Sequence, residues 1–290
     1  MKNKFTKEFF TEVNKCPWCG STETKYLYSG QHNENILECL CCSLVYSDKI
    51  LSKLGLEKYW SNYLSQVQNK DETLVQKREK MYEIEYQFIS HFCDLKNKGV
   101  LDVGCGNGNF LNWFKHAGAF CYGVEYGSEA GKKASQKYTV WIGELPSIEF
   151  NRKFDLIIFR GSLQYCINPK SYLKKAMHLL NKDGYLYITS SPNAQSYCFK
   201  LFKEKFTLPV SVTDYYGFNE AIITEYIKSM DGTLVCKHHF YKETPYANIE
   251  NDILSVAKAI RCHQNNEDID FKAPAFFDNM LTLVYQKNND

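Results

Sequence analysis

The feature that most constrains the fold is a glycine-rich loop between an apolar strand and a helix. Gly99–Val103 is typical of a short buried strand, glycines follow at Gly104, Gly106 and Gly108, and a helix is expected over residues 109–116. Glycines let the backbone take positive φ and let a ligand lie directly against it. The first turn of the helix adds free N–H groups. The spacing therefore predicts a ligand-binding loop at the end of a strand.

The glycine spacing and two nearby acids narrow the kind of ligand. A dinucleotide-binding fingerprint would place its third glycine at position 109, which is Asn109 here. Instead, Asp102 stands two residues before Gly104, and Glu125 ends the next expected strand. A carboxylate at Glu125 can accept hydrogen bonds from both hydroxyls of a ribose. For Asp102, support of the loop backbone and contact with the ligand both remain open.

Strands and helices alternate from residue 99 onward, which is typical of a parallel sheet covered by helices on both faces. The sequence predicts an α/β fold, Rossmann-like and doubly wound, with a mostly parallel seven-stranded sheet. The expected strands cover residues 99–103, 120–124, 139–142, 154–159, 185–189, 233–240 and 281–286. The expected helices after the glycine loop cover residues 109–116, 128–137, 169–180, 219–230 and 249–261.

A cysteine-rich module precedes this pattern. Cys16 and Cys19 form one C-x2-C knuckle, Cys39 and Cys42 form a second, and a β-hairpin is expected between them. Four thiolates around one ion are the closed tetrahedral set of structural zinc, so we predict Zn²⁺ in a zinc-ribbon-like module. Cys41 is an alternative to Cys42, but C-x2-C repeats the spacing of the first knuckle and favours Cys42.

Composition excludes several classes of protein and partner. The chain has 35 basic and 33 acidic residues, a net charge of +2, and no basic stripe, so no nucleic-acid partner is expected. No apolar run approaches about 18 residues, so no membrane insertion is expected. The N-terminus has no apolar core of a secretory signal, which predicts a cytoplasmic protein with reduced thiols. The oligomeric state is left open.

The stretch from residue 100 to about 193 resembles class I (Rossmann-like) S-adenosylmethionine (SAM)-dependent methyltransferases. The motif Asp102-x-Gly104-x-Gly106-x-Gly108 and the acid at Glu125 carry this resemblance. It implies that the loop lies against the methionine portion of SAM, that Glu125 binds the ribose and that Glu144 reaches the adenine. It also implies that the backbone at Arg160 and Gly161 meets the methionine amino group. The predicted cofactor-binding set is Asp102, Gly104, Cys105, Gly106, Gly108, Glu125, Glu144, Arg160 and Gly161.

The knuckles followed by such a domain resemble bacterial methyltransferases of sugar and surface-polysaccharide biosynthesis. The resemblance implies O-methylation of a small acceptor, namely a sugar, a nucleotide-sugar or a surface-polysaccharide precursor. The predicted organisation is a zinc module over residues 1–50, a helical connector over 51–95 and the methyltransferase domain over 96–290. Within the last domain, about 195–280 would form an acceptor-side cap and the C-terminal strands.

The catalytic base and the atom methylated remain open at the sequence level. Many relatives carry Glu-His after the fourth strand, whereas Gln164 and Tyr165 stand there in this chain. C-methylation of a nucleotide-sugar, an RNA methyltransferase docked through the zinc module, and a non-catalytic SAM-binding protein are the alternatives. Lys25 is the one basic residue of positions 16–48, which disfavours RNA docking. The candidates for the base are Tyr165, Asp214, Tyr215 and His263.

Overall fold

The computed structural model describes residues 7–61 and 71–288. Residues 62–70 of the predicted connector lie outside this described part. The strands are β1 (Phe10–Glu12), β2 (Thr24–Ser29), β3 (Asn35–Cys39), β4 (Val45–Ser47), β5 (Lys49–Leu51), β6 (Gly99–Val103), β7 (Phe120–Glu125), β8 (Thr139–Ile142), β9 (Phe154–Arg160), β10 (Leu180–Pro192), β11 (Tyr216–Gly217), β12 (Gly232–His238) and β13 (Met280–Lys287). The α-helices are α1 (Lys53–Ser61), α2 (Glu72–Ser90), α3 (Leu111–His116), α4 (Ser128–Ala134), α5 (Pro169–Leu179), α6 (Tyr197–Phe202), α7 (Glu220–Lys228) and α8 (Ile249–Gln264).

A seven-stranded sheet in the order β12-β13-β10-β9-β6-β7-β8 forms the centre of the main domain. The strands β10, β9, β6, β7 and β8 are parallel, and β13 pairs antiparallel with both β10 and β12. The predicted α/β class with a mostly parallel seven-stranded sheet is confirmed. β10 extends beyond the expected residues 185–189 because it is paired on both edges, with β9 and with β13.

Helices cover both faces of this sheet, and the apolar strands show why. Leu156 and Ile158 of β9 pack in one buried cluster, whereas Ile157 and Phe159 pack in another. Successive side chains of a strand point to opposite faces, so a strand buried on both faces must be apolar throughout. α5 and α7 belong to the layer of Ile157, and α2 and α3 to the layer of Leu156.

The N-terminal module is joined to the main domain by a shared sheet. β2, β3 and β4 form an antiparallel meander, and β11 adds a fourth strand from far along the chain. Trp18 packs edge-on against Phe218 and Tyr226, at centroid distances of 6.1 and 5.6 Å. The β11 strand was not expected from the sequence, because two residues carry no alternation of polar and apolar side chains. Within the described residues, no helix is both long and apolar enough to cross a bilayer.

Candidate active site

A cavity of about 530 Å³ opens at the carboxyl ends of the parallel strands β6, β7 and β9. Ligands of doubly wound sheets bind at this edge, where loops from neighbouring strands meet. The cavity collects all but one of the cofactor-binding residues predicted from the sequence. These are Asp102, Gly104, Cys105, Gly106, Glu125, Glu144, Arg160 and Gly161.

The three glycines of the loop all have positive φ, but they have different surroundings. A Cβ on Gly106 (φ +57°) would meet no protein atom within 4 Å, and this residue lines the cavity. A Cβ on Gly108 (φ +80°) would lie 2.9 Å from the ring of Tyr138, and Gly108 does not line the cavity. Gly106 therefore leaves room for a ligand, whereas Gly108 leaves room for the packing of Tyr138.

Glu125 accepts one hydrogen bond from the glycine loop and one from the turn that follows β7. Its Oε2 accepts from the Gly106 amide at 2.7 Å, and its Oε1 accepts from the Gly127 amide at 2.7 Å. Burial raises the pKa of this carboxyl, and the backbone hydrogen bonds oppose the rise. A carboxylate has about four lone-pair sites, so these bonds leave acceptor sites for a diol.

One carboxylate oxygen of Asp102 takes no part in supporting the loop backbone. Its Oδ1 is buried, and no described group donates a hydrogen bond to that atom. Burial raises the pKa of Asp102 to about 7, while Arg160 lowers it. A buried polar atom without a partner is costly unless a ligand satisfies it. Because Asp102 lines the cavity, its free oxygen suits a donor group of a bound ligand.

Helix α2, part of the predicted connector, supplies side chains to the same cavity. Glu85 is fully buried and is ion-paired with the Arg160 guanidinium, and its Oε1 accepts hydrogen bonds from Thr189 and Ser190 at 3.1 and 2.9 Å. The guanidinium lies 4.5 Å from the ring centre of Tyr82. The sequence showed an amphipathic helix here, but nothing in its pattern indicated that a buried acid would hold Arg160.

Tyr165 stands on the cavity wall with the Asp214 carboxyl behind it. Burial raises the pKa of Asp214 to about 6, and interactions with the side chains of Tyr165 and Thr213 oppose that rise. The Thr213 hydroxyl donates to Oδ2 of Asp214 at 3.1 Å, whereas no described group donates to its buried Oδ1. Tyr165 also packs edge-on against Trp60 of α1, at 5.2 Å between ring centres. Asp214 does not line the cavity itself, but it interacts with Tyr165, which does.

The structure separates the other two candidate bases from the cavity. Tyr215 is fully buried, and its hydroxyl has no hydrogen-bond partner among the described residues. His263 is exposed in the last turn of α8. Neither residue lines the cavity. Of the four candidates, Tyr165 is thus the one that lines the cavity, and Asp214 is the one that interacts with Tyr165.

The wall beyond Tyr165 is aromatic and carries uncharged polar groups. It comes from α6 to β13, the region in which an acceptor-side cap was expected. Its members include Thr207, Phe240, Tyr241, Thr244, Tyr246, Phe276 and Asn279. Asn279 is buried, and no described group donates a hydrogen bond to its Oδ1, which suits a hydroxyl donor of a ligand.

The four predicted metal ligands form one cluster. The Sγ atoms of Cys16 and Cys42 are 3.6 Å apart, those of Cys19 and Cys39 are 3.5 Å apart, and all four lie within 4.8 Å of one another. Thiolates at about 2.3 Å from a tetrahedral zinc ion stand about 3.8 Å from one another. The donor set therefore fits zinc. Cys41 is exposed, and its thiol lies 3.2 Å from the Ser21 hydroxyl instead.

The two adjacent cysteines provide a matched test of this ligand set. We expect Cys42→Ser to lose most of the zinc bound by the purified protein, because three thiolates remain. Cys41→Ser should keep the full amount, since the cluster does not include it. Elemental analysis of both variants beside the parent measures the ratio of zinc to protein. Equal zinc in the two variants would contradict the choice of Cys42.

The sheet order, the antiparallel β13 and the glycine loop after β6 define the architecture of class I methyltransferases. Comparison with known proteins agrees. A family model described as a methyltransferase domain matches residues 75–233, more than half of the chain, and the chain belongs to this family.

Relatives and solved structures support this assignment. The chain is 26% identical over 113 residues to a malonyl-[acyl-carrier protein] O-methyltransferase of Hamiltonella defensa, covering 38% of this chain and 43% of the relative. It is 25% identical over 142 residues to a ubiquinone biosynthesis O-methyltransferase of Acinetobacter baylyi, covering 44% and 60%. The chain thus spans about half the length of these curated relatives.

Among solved structures, magnesium protoporphyrin IX methyltransferase from Synechocystis with bound S-adenosylhomocysteine (SAH) is similar. The match has a TM-score of 0.56 at 14% identity and covers 82% of this chain and 100% of that one. A SAM-dependent methyltransferase of Thermotoga maritima, described as a possible histamine N-methyltransferase, has a TM-score of 0.52 at 15% identity and covers 79% and 99%. At these identities the similarity shows the fold.

Proposed function

We propose that this protein is a SAM-dependent methyltransferase that methylates an oxygen of a small acceptor. The first acceptor class to consider is a sugar, a nucleotide-sugar or a surface-polysaccharide precursor. The observation that carries the proposal is the position of Tyr165, which has the Asp214 carboxyl behind it and faces the same cavity as the glycine loop. Donor and acceptor would then meet in one cavity, which brings the reacting groups together.

The residues of the cavity fit SAM. The open space at Gly106 admits the methionine portion, and the unpartnered Oδ1 of Asp102 suits its ammonium group. Glu125, already fixed to the loop, keeps acceptor sites for the ribose hydroxyls. Glu144 lines the cavity together with Tyr126 and Gly143, and we assign it to the adenine. Bound SAM supplies a methyl group on an electrophilic sulfonium.

Tyr165 and Asp214 supply the proton transfer that an alcohol acceptor requires. The acceptor hydroxyl gives its proton to the Tyr165 oxygen as Tyr165 passes its own proton to Asp214. The acceptor oxygen then takes the methyl group, the carbon–sulfur bond breaks, and SAH and the proton on Asp214 remain. General-base assistance of this kind is worth roughly 10²- to 10⁴-fold in rate.

The wall beyond Tyr165 supports a neutral, hydroxyl-bearing acceptor. Aromatic rings and uncharged donors and acceptors, as at Tyr241, Thr244 and Asn279, are suited to a sugar ring. The enclosed volume of about 530 Å³ favours a small molecule over a folded nucleic acid. C-methylation of a nucleotide-sugar would use the same pair of residues to remove a proton from carbon, and product analysis separates the two reactions.

Titration calorimetry with SAH, beside NAD⁺ as a control, is the first test. We expect micromolar binding of SAH and no binding of NAD⁺. The second step is transfer of labelled methyl from SAM to a panel of sugars and sugar nucleotides, with mass spectrometry of the product. Asp214→Asn is the control for enzyme-dependent transfer. Absence of SAH binding would contradict the proposal, and SAH binding without transfer to any acceptor would favour a non-catalytic SAM-binding protein.

A further inference from the structure

Residues 210–219, which we call the bridging segment, carry Asp214 between the cysteine module and the cavity. On the module side, the Tyr28 hydroxyl donates to the Val210 carbonyl at 3.3 Å, and the Ser47 amide donates to the Tyr215 carbonyl at 3.1 Å. Tyr216 and Gly217, as β11, pair with β4. The bridging segment is thus a structural part of the module's sheet.

The end of the bridging segment is held beside the metal cluster. The Asn219 side-chain amide donates to the carbonyl oxygens of Cys42 and Ser43, at 3.2 and 3.3 Å. The turn that contains these residues is closed by the hydrogen bond from the Ser43 amide to the Cys39 carbonyl, at 2.8 Å. Two of the four thiolates therefore belong to the turn that anchors the segment.

On the other side, the bridging segment contacts the loop that carries Tyr165. The Tyr215 amide donates to the Gln164 carbonyl at 3.0 Å, and the Tyr216 hydroxyl donates to the Ile167 carbonyl at 2.8 Å. These bonds flank Tyr165 on both sides. The same short segment therefore sets the position of Asp214 and of the loop that presents Tyr165.

Glu34, at the tip of the β2–β3 hairpin, is a second side chain of the module that contacts the bridging segment. It is 1% exposed. Its Oε2 accepts from the His32 amide at 2.7 Å, and its Oε1 accepts from the Val212 amide at 3.3 Å. Burial of a carboxylate costs free energy because the group loses its hydration, and hydrogen bonds within the protein offset that cost. Val212 is two residues from Asp214.

We propose that Glu34 is a positioning residue and that the cysteine module, held by its metal cluster, positions Asp214 against Tyr165. The module contacts the bridging segment on the acceptor side of the cavity, whereas the Gly106 amide of the glycine loop is bonded to Glu125 of the main sheet. We therefore expect the module to affect the acceptor side more than the glycine loop. The role in proton transfer rests on the proposed function, whereas the positioning of the bridging segment does not.

Glu34→Gln tests the contact between the hairpin and the bridging segment. The amide keeps one acceptor oxygen but presents an NH₂ group to a second donor, so one of the two backbone amides loses its acceptor. The longer bond, to Val212, is the one we expect to be lost. Hydrogen exchange of peptides within 210–219 should quicken at least tenfold, while peptides within 156–159 exchange as in the parent. Glu38→Gln, in the same hairpin but outside these contacts, is the matched control.

Removal of the metal tests the other anchor. After treatment with a chelator, peptides within 210–219 should exchange faster, and Zn²⁺ alone should restore their protection. SAH affinity should stay within about twofold of the parent in both cases. Once an acceptor is known, Glu34→Gln should lower kcat about tenfold with the KM for SAM unchanged.

Two results would overturn the inference. One is unchanged exchange of residues 210–219 in Glu34→Gln. The other is chelation that affects residues 16–47 and leaves the bridging segment protected. The exchange measurements use no acceptor, so they stand even if Tyr165 and Asp214 prove to have no part in turnover. Loss of turnover in Tyr165→Phe together with unaltered exchange in Glu34→Gln would support the proposed function. The same pair of results would reject the positioning role of Glu34.

Discussion

Replacement of Gly106 by valine is expected to weaken SAH binding by about 100-fold or more, equivalent to about 2.7 kcal/mol. Gly106 has a φ of +57°, a conformation that a β-branched residue rarely adopts. Its Cβ would extend into the cavity, where the parent protein has open space. The expected loss of affinity comes from the volume that the side chain takes from the ligand, whereas the backbone strain of about 1–3 kcal/mol lowers the stability of the fold. Calorimetric titration with SAH measures it.

Gly118→Val is the matched control for the backbone strain. Gly118 has a φ of +85°, a Cβ there would make an ordinary contact of 3.7 Å with Lys96, and the residue does not line the cavity. Both variants should lose thermal stability, but only Gly106→Val should lose SAH affinity. Equal SAH affinity in Gly106→Val and the parent would show that the ligand does not lie on this loop.

Much of the sheet could be predicted because its strands are buried on both faces. The run over residues 154–159, apolar except for Asp155, has few alternatives to a central parallel strand, and the glycine loop indicates which edge carries the site. Local spacing was equally informative for Cys16, Cys19, Cys39 and Cys42, which meet in one cluster. In these cases the information lies within a few residues of the chain.

The features that could not be predicted depend on contacts across long stretches of chain. Glu85 meets Arg160 over 75 residues, and Glu34 meets Val212 over 178. Neither acid has a neighbouring motif, and a buried carboxylate looks like an exposed one in the sequence. The pairing of β11 with β4 is also a contact between distant parts of the chain, and a two-residue strand is recognised only by its partner. The wall beyond Tyr165 is formed largely by loops, whose residues show no regular hydrophobic pattern.

These long-range contacts explain how one cavity can serve two tasks. The proposed donor half consists of β6, β7 and their loops, and these two strands pair within the main sheet. The acceptor half depends on Tyr165 and the bridging segment, which the module's sheet completes. Changes in the module are therefore expected to alter the acceptor half while SAH affinity is retained. SAH affinity therefore serves as the control when Tyr165 or Asp214 is replaced, because neither residue belongs to the glycine loop.

Tyr165→Phe is expected to lower the rate of methyl transfer roughly 10²- to 10⁴-fold, because the acceptor hydroxyl loses its proton acceptor. SAH affinity should remain within about twofold of the parent, since Tyr165 is outside the glycine loop. Tyr172→Phe is the matched control, because this tyrosine also lines the cavity but is not among the groups that act on Asp214. We expect it to retain most of the activity. Similar losses in both variants would indicate a packing effect.

Asp214→Asn should reduce the rate by a similar factor and also change the pH profile. The pKa of Asp214 is raised to about 6 by burial, so the carboxylate is available above pH 6 and is protonated below it. In the parent, kcat should therefore fall as the pH drops through about 6, and in Asp214→Asn that acidic limb should disappear.

The raised pKa of Asp214 has the opposite effect on folding: the contribution of this group to stability is present below pH 4 and is lost as the pH rises through 6. An acidic limb that persists unchanged in Asp214→Asn would assign the proton to another group, and Asp102, with its pKa of about 7, would be the next to replace.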